Sequence, residues 1–152
     1  MGEKTGFSQQ DRKALLRVAV RAAIARASDQ QLEDARPRIL AERLTKTSLR
    51  NAQIRSLENL AYTTDKVSDI TDFLKKQIGR DARSHGWAKE SVGREVIAVL
   101  ESLRQKADEI VNDERAHAAD LDADLPRRVH LDLCREFVKH LAAEFMYRKR
   151  EA

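Results

Sequence analysis

Cysteine is nearly absent from this chain. Cys134 is the only one in 152 residues, which excludes an internal disulfide and points to a reducing compartment. Proline and glycine are scarce, with two and five residues, so few positions interrupt regular backbone. Aromatic residues make up 5%, and β-branched residues never gather into a strand-like run. No apolar stretch approaches the roughly 18 residues that a membrane-spanning helix needs. Residues 1–10 are polar and lack the apolar centre of a secretion signal. These shortages predict a soluble, cytoplasmic protein with no membrane partner.

What is present favours helix. Apolar residues are 41% and charged residues 36% of the chain, the first enough for a core and the second well above common usage. Ala, Leu, Arg, Glu, Lys and Gln dominate, and all are helix formers. A mass of 17.3 kDa fits one domain able to bury a core. The expected fold class is all-α, a compact bundle of five or six helices. It is read as a single domain over 1–152, with 1–7 a flexible N-terminal tail.

Ser8 and Asp11 resemble a capping box, opening a helix that is expected to reach about Ala27. Its inner face is Leu16, Val20, Ala23 and Ala27. Ser28 and Asp29 then start a polar segment, and Pro37 restarts a turn carrying Ile39, Leu40 and Leu44. Thr47 or Ser48 is the expected cap of the next helix, with Leu49, Gln53, Leu57, Leu60 and Ala61 facing inward and Ile54 at the border. Thr64 and Asp65 open another helix through Val67, Ile70, Leu74 and Ile78, closed by Gly79 as a C′ glycine. Beyond a short connector and Trp87 comes the longest helical pattern, Val92, Val96, Leu100, Leu103, Ala107 and Ile110, with His117 as the outer limit of its extension. Asp120, Asp122 and Asp124 mark a turn, and Pro126 lies near the last helix start. That helix carries Val129, Leu133, Phe137, Leu141 and Phe145 at steps of four.

Charge is segregated along the chain, and the overall balance is basic, with a formal net charge of +4. Residues 12–28 hold Arg12, Lys13, Arg17, Arg21 and Arg26 and no acid. Residues 35–55 hold Arg36, Arg38, Arg43, Lys46, Arg50 and Arg55 against Glu42 alone. Residues 108–124 reverse the sign, with seven acids and only Arg115. A solvated face is the plain alternative, but ion-paired helix faces normally interleave both signs. The basic blocks therefore point to a polyanion, and the opposed blocks would also let copies stack with charge setting the register.

Catalytic and metal patterns are thin. Glu114-x-x-His117 has the spacing of a helical di-iron ligand pair, but neither His130 nor His140 repeats it. His130 and Cys134 share a helix face, and two ligands do not complete a zinc site. No nucleophile elbow, Walker loop or glycine-rich phosphate cradle occurs. No catalytic residue, metal or cofactor is assigned. Trp87 is expected to pack over helix ends; stacking on a base is the alternative.

Three segments, in order, carry a resemblance. They are Asn51-Ala52-Gln53-Ile54-Arg55; Phe73 followed by Gln77-Ile78-Gly79-Arg80-Asp81; and Leu133-Cys134-Arg135-Glu136-Phe137 running on to Leu141-Ala142-Ala143-Glu144-Phe145-Met146-Tyr147. The set resembles the small subunit of type III CRISPR effector complexes, the Csm type. Residues 82–124 are longer than in that family, and Trp87 has no counterpart there. The resemblance implies a helical bundle without an active site. Several copies of such a subunit line the complex beside the guide RNA and target RNA, in contact with its other subunits, holding backbone without reading bases. Arg17, Arg21, Lys46, Arg50, Arg55 and Arg80 are the expected nucleic-acid-binding residues. The rival reading is a helical protein–protein adaptor or dimeric regulator without nucleic acid, and a small helical enzyme is the third.

Overall fold

The computed structural model describes residues 8–114 and 123–151, which form six α-helices with no strand among them. The order is α1 (Gln9–Glu33), α2 (Arg36–Thr45), α3 (Asn51–Thr63), α4 (Val67–Arg80), α5 (Val92–Asp113) and α6 (Leu125–Glu151), with a 3-10 turn at Lys89–Ser91 leading into α5. The tail 1–7, His117, Asp120 and Asp122 lie outside the described residues. No helix among the described residues is long and apolar enough to cross a membrane.

The axis of the bundle is α6, which touches each of the other helices. Its step-of-four stripe, Val129, Leu133, Phe137, Leu141 and Phe145, is fully buried. Burial of side chains this size contributes about 1.5–3 kcal/mol each. Pro126 sits in the first turn, where a missing N–H costs nothing. Arg148, Lys149 and Arg150 close the last turn with the sign its exposed carbonyls favour. At 27 residues it exceeds the 22 of α5, the segment expected to be longest. Two apolar clusters form along this axis. One joins α2, α3, α4 and the start of α5 to the C-terminal half of α6. The other joins α1 and the end of α5 to its N-terminal half.

The expected boundaries shift at three places, the end of α1, the start of α3 and the end of α4. The capping box of Ser8 and Asp11 starts α1, with both bonds at 3.1 Å. That helix does not stop near Ala27 but runs on to Glu33, because Ser28 and Gln31 are buried and bonded to α6. Thr47 does not cap α3; its hydroxyl donates to the Leu44 carbonyl at 2.6 Å and so finishes α2. The residue preceding α3 is Arg50, whose N–H is held by the Gln53 side chain at 2.7 Å. Gln53 is therefore exposed, and Ile54 takes its place inside. Gly79 is not a terminator either: α4 continues to Arg80, and Asp81 follows as the cap.

Asp81 organises the connector. Its carboxylate accepts N–H bonds from His85, Gly86 and Ala88. Partial burial opposes its charge, but those three donors prevail and hold its pKa below the usual carboxylate value. Trp87 is buried, so it packs as expected. Glu90 and Ser91, both with left-handed backbone at φ 50° and 61°, turn the chain into α5. The Arg43 guanidinium holds that corner through the Glu90 carbonyl at 2.9 Å and the Glu95 carboxylate.

Candidate nucleic-acid interface

The six basic residues singled out in the sequence fall in three places. Lys46 and Arg50 flank the α2–α3 loop, and Arg80 ends α4. The two loops are clasped: the Ser48 N–H donates to the His85 carbonyl at 2.7 Å, and Lys89 Nζ donates to the Lys46 carbonyl at 2.9 Å. Lys46, Arg50 and Arg80 are thus brought to one end of the bundle, and all three are exposed. Arg83 and His85 are exposed on the same connector. Among nearby acids, Asp81 is spent on backbone, and Glu42 lies 3.9 Å from Lys46 and 3.4 Å from Arg148.

Arg17 and Arg21 belong to a second patch. They line an open groove of about 760 Å³ between α1 and the start of α6, with Lys13 and Arg128 on its rim and Leu16, Val20 and Val129 along its floor. Asp132 is the acid of that groove, and it bonds Arg135 at 3.1 Å. Val129 stands beside this patch and Arg148 reaches Glu42 near the other. The rise of α6 between those two residues is roughly 28 Å. Arg55 joins neither patch: it is exposed on α3, beyond the loop that holds Arg50. Arg17, Arg21, Arg50, Arg55 and Arg80 make no ion pair among the described residues, whereas Arg43, Arg104, Arg127, Arg135 and Arg148 each do.

Arg83 and Lys89 were missed in the sequence. With His85 they make the connector basic, a signal legible in composition; nothing in the order of residues says that this connector folds onto the α2–α3 loop. Arg135, read only as part of a motif, is a structural cation. It donates to the carbonyls of Ala61 and Thr64 at 2.7 and 2.8 Å and closes the end of α3.

One hydroxyl, one imidazole and one carboxylate do meet. Ser28 Oγ lies 2.7 Å from Glu136 Oε1 and 2.8 Å from His140 Nε2, at the α1–α6 junction. Nucleophile activation needs the imidazole between hydroxyl and carboxylate; here the hydroxyl is in the middle and buried, so the group joins helices. Burial pushes His140 down in pKa against the pull of Glu136. Burial works against the Glu136 charge too, but bonds from Lys139 and Ser28 lower its pKa overall. His130 and Cys134 both face the Leu100 carbonyl, at 2.8 and 3.5 Å. Burial raises the Cys134 thiol to about 12, so it stays protonated.

No family model matches the chain, and neither a curated protein nor a solved structure matches it.

Proposed function

We propose that this chain is a non-catalytic small subunit of a type III CRISPR RNA-guided effector complex, holding the backbone of guide and target RNA without sequence preference. The observation that carries the reading is a set of exposed cations with no ion pair among the described residues: Arg17 and Arg21 on α1, Arg50 and Arg80 at the clasped loops, and Arg55 on α3. Cations left without acids attract phosphate through release of its counterions, which is indifferent to base identity. The ordered resemblance of the three segments supplies the particular complex.

The test is a salt titration of affinity for several unrelated single-stranded RNAs. Affinity is expected to fall with a slope of about −0.7 per phosphate neutralised and to vary little with sequence. Arg50→Glu with Arg55→Glu should weaken binding several-fold for every RNA and flatten the slope, with helicity by circular dichroism unchanged. No binding at low salt, or a strong preference for one sequence, defeats the reading. A protein–protein adaptor is the second reading, favoured by an apolar stripe on the outer face of α1.

A further inference from the structure

The helix α1 is apolar on two opposite sides. Leu16, Val20, Ala23 and Ala27 are buried against the bundle. On the far side Leu15, Val18 and Leu32 are 44%, 61% and 47% exposed, and Ala22 and Ala25 are exposed between them. The steps from Leu15 through Val18 and Ala22 to Ala25 are three, four and three, and Leu32 continues the same register beyond Asp29. That is the a/d seam of a coiled coil, facing solvent. The positions beside such a seam are e and g, and here they carry Arg12, Arg21 and Arg26, with Glu33 as the one acid at the far end and Asp29 in the seam itself before Leu32. None of the three makes an ion pair with a described residue, and no acid lies between residues 12 and 28.

We infer that this seam docks an amphipathic helix of another protein, with acidic residues flanking its own apolar stripe. Charge selects that occupant. A second copy of α1 in parallel would set Arg21 against Arg26. An antiparallel copy would pair only Arg12, with Glu33, and leave Arg21 and Arg26 facing Ser28 and Ala19, whereas an acidic partner pairs all three cations. Size selects a helix over a lipid surface. The centre of the stripe is Ala22 and Ala25, which insert little into a bilayer but let a partner backbone come close, and the stripe holds no aromatic residue. From Leu15 to Leu32 the seam spans roughly 25 Å, so the partner supplies about five turns. Arg21 is shared with the proposed RNA surface, but Val18 and Ala22 are not in it and Arg50 and Arg55 lie on other elements, so the two readings are tested apart.

The probe is a labelled peptide of three heptads with Leu at a and d and Glu at e and g, compared with its twin carrying Lys at e and g. Fluorescence anisotropy should show the Glu peptide binding the wild-type chain at least tenfold more tightly than the Lys peptide. Val18→Gln with Ala22→Gln should cut that binding at least tenfold without moving the melting midpoint, because both residues are exposed. Arg12→Glu, Arg21→Glu and Arg26→Glu together should reverse the preference in favour of the Lys peptide. Arg50→Glu with Arg55→Glu should leave peptide binding unchanged, whatever it does to RNA. Equal binding of the two peptides, no binding of either, or binding indifferent to the Val18 and Ala22 changes overturns the inference. So does binding to phosphatidylserine vesicles, or self-association seen by sedimentation, that those two changes abolish.

Discussion

Gly93 shows how one missing atom shapes the turn into α5. Its N–H donates to the Trp87 carbonyl at 2.8 Å. A Cβ there would meet that same carbonyl oxygen at 2.6 Å and the Ile78 side chain at 2.9 Å. The oxygen is backbone and cannot swing aside, and the neighbouring Trp87 ring is buried. Gly93→Ala is therefore expected to cost about 1–3 kcal/mol through overpacking, measured as a lower urea midpoint. An unchanged midpoint would show that the Trp87 turn relaxes freely. Gly79 is the useful contrast: a Cβ there meets nothing within 4 Å, and the residue lies inside α4.

Between elements, the polar contacts of α6 decide which helix ends are closed. Arg135 supplies N–H donors to two carbonyls at the end of α3 and a third contact to Asp132. Charged hydrogen bonds of this kind contribute about 1.5–3 kcal/mol, so Arg135→Ala should lower stability by about that much. Arg135→Lys should restore only part, since an ammonium cannot reach two carbonyls in a fork. A full rescue by Lys would mean that charge alone matters. The α1–α6 junction is expected to sense pH. His140, with its pKa lowered by burial, favours the fold fully above the ordinary histidine value near 6.5 and loses that contribution as pH falls below it. Glu136, also lowered, contributes fully above about 4.5 and less as pH falls through its own folded value. Lys139, Asp29 and Tyr62 are the other charged or titratable groups acting on this junction. The urea midpoint should thus drop between pH 7.5 and 5, and His140→Gln should make that drop shallower. Identical pH profiles for the two proteins would remove His140 from the account.

For the whole molecule, the two basic patches are separate, roughly 28 Å apart along α6, several times the Debye length of about 8 Å at physiological salt. Their effects on RNA affinity should then add. Arg17→Glu with Arg21→Glu, Arg50→Glu with Arg80→Glu, and the four changes together form a double-mutant cycle. The logarithm of affinity for an RNA long enough to span both patches is expected to fall in the combined variant by the sum of the separate losses, within about 0.5 kcal/mol. If either pair alone removes all binding, a single patch holds the strand.

The helical class, the stripe of α6 and the Ser8 cap were legible in the order of residues, because helix propensity, apolar spacing and capping act over a few neighbours. Cations unaccompanied by acids were legible for the same reason. The end of α1 was not: Ser28 reads as a helix stop until Glu136 and His140, over a hundred residues away, satisfy its hydroxyl. Nor was the grouping of the cations. Arg50 and Arg55 are neighbours in the chain, yet one precedes α3 in the clasped loop and the other lies on the helix, while Arg50 and Arg80 are distant in sequence and come to the same end where two loops clasp. The two apolar faces of α1 are written in its sequence, but which one is covered depends on the bundle. Local physics determined the helices of this protein; the closing of the chain on α6 decided which faces and charges were left for a partner.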